Sequence, residues 1–346
     1  MHALVAIPLL MNVAHREIVI EKRGPAETMK LRPLTPRAPA DDEVAIDVAY
    51  SGVNFADVQM RIGLYPDAPK RPFVPGYEVS GTIRAVGKRV TDLRVGDPVV
   101  AGTYFGGYAS HVTIPAHQAF KLPTSYDLAT GAALPVAYFT AQLAVGEMAR
   151  VRAGDRVLIE CGTGGVGVIA AQMAKHAGAE VTSLTTSPHK KPFLDELGVT
   201  ALTLDEFRAS PSLRDYDFIL NSSGGGNIQW QRQRLGLTGR MVCIGMSSGV
   251  KDGKRDLLRV AKTLVQTPRI SVLDLFQRNT GIYALNALHI LRDPAWVARL
   301  TRSMTAVEPM GLRPKVGKVF AATEVAAAHD FLSSKQGTGK LLLAWS

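Results

Sequence analysis

Gly162-Thr163-Gly164-Gly165-Val166-Gly167 fits G-x-G-x-x-G, the spacing with which a glycine turn admits a pyrophosphate. The first glycine permits a tight turn, the second lets backbone N–H groups approach the anion, and the third lets a helix close on a strand. Further along, Ser183-Leu184-Thr185-Thr186-Ser187-Pro188-His189-Lys190-Lys191 covers the place where an NAD site carries an Asp or Glu for the ribose hydroxyls. No carboxylate is present there. Thr186, Ser187 and Lys190 suit a 2′-phosphate instead, which points to NADPH. The plain alternative is that the lysines only begin the next helix in solvent.

The surrounding elements supply the frame this chemistry needs. Val157–Cys161 is a short apolar run of the kind buried on both faces. After the glycines, Val168, Ile169, Ala170, Met173, Ala174 and Ala177 recur at helical spacing, and Gly178 stops the helix. Val181–Leu184, Ala201–Leu204, Asp217–Leu220, Met241–Ile244 and Ile270–Leu275 read as further strands between helical or loop segments. The alternation implies a doubly wound parallel sheet. In such sheets ligands lie beyond the carboxyl ends of the strands. That selects Asn221, Ser222 and Ser223 after one strand, and Gly245, Met246 and Ser247 after another.

The first part of the chain reads differently. Glu17–Ile20, Glu43–Tyr50, Gly76–Val100 and Ala109–Ile114 are strand-like and broken by Gly and Pro turns, as in a compact β barrel. Ser51–Pro75 between them is loop-rich and carries Asn54, Asp57 and Tyr65. A helical pattern runs through Ala132–Ala149. The tail offers strands at Lys318–Phe320 and Leu341–Ala344 around a helix over Thr323–Leu332. No internal repeat or low-complexity tract is present.

Composition narrows the functional classes. The chain has 346 residues, enough for two domains, and a formal charge of +10 from 40 basic and 30 acidic residues. The basic residues are scattered. The densest group, Lys251, Lys254, Arg255, Arg259 and Lys262, has the spacing of a solvated helix face. No aromatic-interleaved basic patch marks a nucleic-acid surface. Ala3–Ala14 is apolar but too short to span a bilayer and has no basic residue before it, so it reads as an N-terminal extension rather than a signal peptide. The two cysteines, Cys161 and Cys243, each end a strand and read as small core residues. A reducing, cytoplasmic location follows from that usage.

Taken in order, several short motifs resemble the medium-chain dehydrogenase/reductase superfamily from about Arg16 onward. They are Gly52-Val53-Asn54-Phe55-Ala56-Asp57, Gly63-Leu64-Tyr65-Pro66, Pro75-Gly76-Tyr77-Glu78, Ala85-Val86-Gly87, Val95-Gly96-Asp97, Phe139-Thr140-Ala141, Gly164-Gly165-Val166-Gly167, Gly239-Arg240 and Gly337-Thr338-Gly339-Lys340. The zinc-independent quinone oxidoreductase branch is most similar. The vesicle amine transport protein-like subgroup is similar around Gly281-Ile282-Tyr283-Ala284-Leu285 and Leu312-Arg313-Pro314.

The resemblance implies a Rossmann domain (138–286) inserted into a GroES-like β-barrel domain made from both chain ends (1–137 and 287–346), with the site in the cleft. It implies that Asn54 and Thr140 hold the nicotinamide end of the cofactor and that Lys340 lies near it. Tyr65 becomes the candidate proton donor, and Tyr77, Tyr104, Phe105, Phe276 and Tyr283 candidate walls of an acceptor pocket. Zinc-dependent relatives place ligands where this chain has Asn54, Tyr77 followed by Glu78, and about Val136, so no metal is expected. The four-cysteine structural zinc lobe is impossible with two cysteines. The expected reaction is hydride transfer from NADPH to a quinone or carbonyl-conjugated alkene. A homodimer is expected through the sheet edge at Ile270–Leu275. The alternatives are a pathway-specific enoyl reductase of a thioester or biosynthetic intermediate, and a catalytically silent nucleotide-bound structural or RNA-binding protein.

Overall fold

A computed structural model of the chain describes residues 14–345. The apolar segment Ala3–Ala14 lies, except for its last residue, outside them.

The first strands are β1 (Arg16–Ile20), β2 (Met29–Pro33), β3 (Glu43–Val53), β4 (Glu78–Val86), β5 (Pro98–Gly102), β6 (His111–Pro115) and β7 (Ala119–Lys121). The middle strands are β8 (Arg156–Ile159), β9 (Glu180–Thr185), β10 (Thr200–Thr203), β11 (Tyr216–Asn221), β12 (Leu235–Cys243) and β13 (Gly281–Ala284). Two more, β14 (Val316–Ala321) and β15 (Lys340–Ala344), close the chain.

A seven-stranded sheet runs β14-β15-β3-β4-β5-β7, with β6 also paired to β3. The long β3 therefore carries partners from both chain ends: Val44 faces Ile114 near its start and Val53 faces Leu341 at its finish. Its core includes Ile18, Val44, Ile46, Val79, Val99, Phe320 and Leu343. The middle strands form a six-stranded sheet, order β10-β9-β8-β11-β12-β13, paired parallel throughout.

Two expected elements differ. The loop-rich stretch Ser51–Pro75 contains a helix, α1 (Phe55–Ile62), whose start is fixed by the Asn54 N–H donating to Asp57 Oδ2 at 2.8 Å. Ile270–Leu275 is not an edge strand. Ser271 Oγ accepts the Asp274 N–H at 3.1 Å and starts a helix, Val272–Arg278, while β13 forms the edge of the sheet. Of the basic group, only Arg259 and Lys262 lie on a helix, Leu257–Gln266, because Asp256 caps it there.

Strand β8 shows why the parallel sheet is covered on both faces. Val157, Leu158 and Ile159 are all fully buried. Val157 and Ile159 join the core with Tyr138 of α2 (Pro135–Ala141) and with Val168 and Ile169 of α3 (Gly165–His176). Leu158 joins Phe207, Ile219 and Met241 on the opposite face. The strand alternation sends successive side chains to opposite layers. Among the described residues no helix is long and apolar enough to cross a membrane.

Candidate active site

The carboxyl ends of β8, β11, β12 and β13 face the barrel across a cleft of about 1390 Å³. Glycine chemistry shapes its floor. β8 runs through Glu160–Gly164 into α3. A Cβ on Gly167 would lie 1.9 Å from Cys161 O, so only glycine lets α3 close on the strand end. A Cβ on Gly162 would press on β9, 2.8 Å from Ser183 Cβ. Gly164 and Gly165 instead line the open cleft. The first N–H groups of α3 have no partner within the helix and carry its positive dipole end. This cradle fits a pyrophosphate.

The C-terminal strand is pinned onto the same turn. Gly339 N–H donates to Thr163 O at 2.8 Å, and Gly164 and Gly339 form an isolated parallel bridge. The next residue, Lys340, thereby enters the cleft wall. Its Nζ lies 2.5 Å from Glu78 Oε1 and 2.5 Å from Asn54 Oδ1. Asn54 Nδ2 donates to the same Glu78 oxygen at 2.9 Å. Helix α2 carries Phe139 and Thr140 into the cleft, and its Val136 N–H donates to Glu78 Oε2 at 2.8 Å. Gly52 makes room for the carboxylate, since a Cβ there would lie 2.4 Å from Glu78 Oε1.

Of the positions expected to match metal ligands in zinc-dependent relatives, Asn54 and Glu78, which follows Tyr77, hold the Lys340 ammonium here, Tyr77 is a phenol on the aromatic side, and Val136 offers only its N–H to Glu78. One carboxylate already paired with a cation, an amide and a backbone N–H are not a zinc donor set. Those residues do not fit the metal.

The acceptor side of the cleft is aromatic. Tyr65 and Tyr77 are half-buried, with ring centroids 6.4 Å apart, and Tyr77 lies 5.4 Å from Phe105. Burial raises both phenols above their ordinary value, while a hydrogen bond from Tyr77 lowers Tyr65 in part. Both therefore stay protonated at neutral pH. The Tyr65 loop is braced across the cleft: Asp67 accepts from Asn286 Nδ2 at 3.0 Å and pairs with His289 Nε2 at 2.7 Å. Behind the wall, Asp57 is fully buried and accepts from Tyr108 Oη at 3.0 Å. Desolvation pushes its carboxyl up to about 7 despite that bond.

Of the residues singled out from sequence, Asn54, Tyr65, Tyr77, Tyr104, Thr140, Thr163, Gly164, Gly165, Val166, Gly167, Thr186, Lys190, Ser222, Gly245, Met246, Ser247, Tyr283 and Lys340 line the cleft. Four others do not. Phe276 is 76% exposed on the helix Val272–Arg278, so it walls no pocket. Asn221 is fully buried, its amide spent on Gln231 Oε1 and the Gly224 N–H. Gly162 packs against β9, and Ser187 sits just past the rim, its N–H turned back to Thr185 Oγ1. Lys190 is present but committed: its Nζ donates to Lys335 O and, at 3.1 Å, to Gly337 O. Burial and the neighbouring Lys335 hold its pKa below the usual lysine value. The cysteines are not simple core residues either, since both border the cleft. Burial pushes the Cys161 thiol up to about 12 and Cys243 to about 11, so neither is a nucleophile at neutral pH.

Two cleft residues were not anticipated. Lys335 is exposed at the rim, in a left-handed turn with φ 57°, next to the carbonyls that hold Lys190. Glu160 accepts the Ser222 and Ser223 N–H groups at 2.7 and 2.9 Å, the Ser223 hydroxyl, and Gln231 Nε2 at 2.8 Å. It fixes the loop after β11 at the sheet's switch point. A charged residue directly after the apolar run Val157–Ile159 was the available signal.

Comparison with known proteins agrees with this architecture. Residues 40–124 match the family model of the alcohol dehydrogenase GroES-like domain, and residues 198–343 that of the zinc-binding dehydrogenase. The chain is 30% identical over 338 residues to the synaptic vesicle membrane protein VAT-1 homolog of Rattus norvegicus, covering 95% of this chain and 83% of that protein. It is 29% identical to the quinone oxidoreductase of Lama guanicoe, covering 95% and 97% of the two chains. The solved quinone oxidoreductase of Thermus thermophilus, studied also as its NADPH complex, superimposes with a TM-score of 0.77 at 28% identity, covering 95% of this chain and 100% of that one.

Proposed function

The chain belongs to the medium-chain dehydrogenase/reductase superfamily, among the relatives of VAT-1 and quinone oxidoreductases, and from that premise we propose an NADPH-dependent, zinc-independent reductase of quinones or carbonyl-conjugated alkenes. One observation carries this reading: a glycine cradle for a pyrophosphate opens into an aromatic chamber at a Lys340–Glu78 ion pair that stands in place of a metal cage.

The Gly164–Gly167 backbone and the α3 N-terminus would hold the pyrophosphate. Thr186 and Lys335, with Lys190 fixing the loop that carries Lys335, would receive the 2′-phosphate. Asn54, Thr140 and Lys340 border the place for the nicotinamide, and Gly245, Met246 and Ser247 close it from the sheet side. Bound NADPH supplies the hydride. The donor set at the centre of the cleft does not suit a Lewis acid, so the acceptor must spread the developing charge onto an oxygen of its own. Tyr65, protonated and half-buried, donates to that oxygen through its Oη. Tyr77, Tyr104 and Tyr283 wall the acceptor.

In this reading residues 1–137 and 287–346 make the catalytic domain and 138–286 the nucleotide-binding domain. The protein acts in the cytoplasm as a homodimer. β13 is the sheet edge, and the two helices that precede it in the chain expose Leu258, Val265, Val272 and Phe276, apolar groups suited to a second copy. Light scattering at one chain's mass, independent of concentration, would refute the dimer.

The test of function is NADPH oxidation against ortho-quinones, para-quinones, enones and enoyl thioesters. Turnover of a quinone or enone supports the proposal. Turnover of thioesters alone assigns a pathway enoyl reductase, and NADPH binding without any turnover assigns a silent nucleotide-bound protein.

A further inference from the structure

Away from the cleft, Asp47 on β3 and His111 on β6 stand directly opposite each other in the antiparallel register. His111 Nδ1 lies 3.1 Å from Asp47 Oδ1, and Arg84 Nη1 donates to the other carboxylate oxygen at 3.0 Å. His15, just ahead of β1, lays its ring beside that of His111, with centroids 4.9 Å apart. His111 is 5% exposed. His15 Nδ1 and His111 Nε2 are both buried and make no hydrogen bond. A buried polar atom without a partner is costly, so the unpartnered His15 Nδ1 beside the Asp47–His111 pair calls for a ligand.

One ligand atom from each of His15, Asp47 and His111 lies within 4.8 Å of the other two, and no other group of this kind occurs among the described residues. We propose that these three side chains bind a divalent transition-metal ion of the zinc class. Imidazole nitrogen with one carboxylate oxygen suits zinc and its neighbours and does not suit calcium or magnesium. Ligand bonds of about 2.0–2.2 Å put tetrahedral ligand atoms roughly 3.3 Å apart, so the trio must close inward. His15, half-buried at the chain's entry to β1, has the freedom to do so. With Asp47 as a ligand, His111 binds through Nδ1, which already stands 3.1 Å from Asp47 Oδ1, and the ion replaces the hydrogen bond between them. Asp47 is 41% exposed, which leaves water access to a fourth position. Arg84 weakens the site by its charge but keeps the carboxylate ionised. None of the three residues lines the cleft. The ion would tie the segment entering β1 to β3 and β6, a structural role separate from hydride transfer.

The test uses the full chain, stripped with a chelator and titrated with cobalt(II) chloride and then zinc chloride. The expected result is one equivalent of cobalt with visible d–d absorption of low-symmetry coordination, displaced by zinc, and a higher melting temperature with either ion. His15→Ala and Asp47→Asn should each lower cobalt affinity at least tenfold while keeping the circular dichroism of the parent. His111→Gln should do the same. If that buried substitution unfolds the protein, the half-buried His15 carries the test alone. Absence of a saturable cobalt spectrum in the parent, or an undiminished spectrum in His15→Ala, would overturn the assignment.

Discussion

Replacing Lys340 by methionine separates two roles for this lysine, cofactor contact and counter-ion. Glu78 is fully buried and the Lys340 side chain is 7% exposed, so the methionine would leave a carboxylate without its cation in an interior site. Removing one partner of a buried pair costs about 3–5 kcal/mol. Val136 N–H and Asn54 Nδ2 would still donate to Glu78, which argues for the lower end, about 3 kcal/mol. Urea unfolding followed by tryptophan fluorescence is the assay. Trp345 reports locally, because its Nε1 donates to Ser51 Oγ at 2.8 Å beside β15. The Lys340→Met/Glu78→Gln double variant removes the stranded charge and should recover most of the loss. If Lys340→Met is as stable as the parent, or the double variant is less stable than the single one, the counter-ion argument is wrong.

Other perturbations address the remaining groups. The Asp57 carboxyl rises from 3.8 to about 7 on folding, so its neutral form is favoured in the native state and stability falls as pH rises from about 4 through 7. Asp57→Asn should flatten that slope, gaining up to roughly 4 kcal/mol relative to the parent above pH 7; melting curves from pH 5 to 8 that remain parallel would refute it. Lys335→Met should weaken NADPH by about tenfold with little change for NADH, whereas Lys190→Met should act mainly on stability. Titrations in which only Lys190→Met loses NADPH would reverse those roles. Tyr65→Phe should reduce single-turnover rates with conjugated alkenes by about 10²–10⁴-fold and spare quinones, whose reduced form water can protonate; a parent-like alkene rate excludes Tyr65 as the acid.

What could be read from sequence was what local spacing determines. The glycine turn, its strand and its helix follow from residues adjacent in the chain, β3 follows from the alternation of Val44, Ile46 and Val48, and β15 from its short apolar run. Ile270–Leu275 misled because short apolar runs do not distinguish strand from helix. The deciding residue was Ser271, a helix cap just inside the run. Phe276 was lost to the pocket for the same reason. Helix α1 was hidden in a Gly- and Pro-rich stretch, although Asn54 and Asp57 have the spacing of a capping pair. Lys190 looked like a free phosphate ligand because nothing nearby in sequence accepts its charge. Its acceptors, Lys335 O and Gly337 O, come from the other end of the chain. Glu78 and Lys340 were each legible as motif residues, but their pairing depends on β15 joining β3.

Hydride transfer without metal in this cleft is tested most directly by single-turnover oxidation of NADPH deuterated at the transferred position, in chelator-treated protein, with a quinone or an enone. The predicted result is full oxidation at the rate of untreated protein, slowed by a primary isotope effect. Activity that disappears with the chelator and returns with zinc, or NADPH that stays reduced with every acceptor, would contradict it.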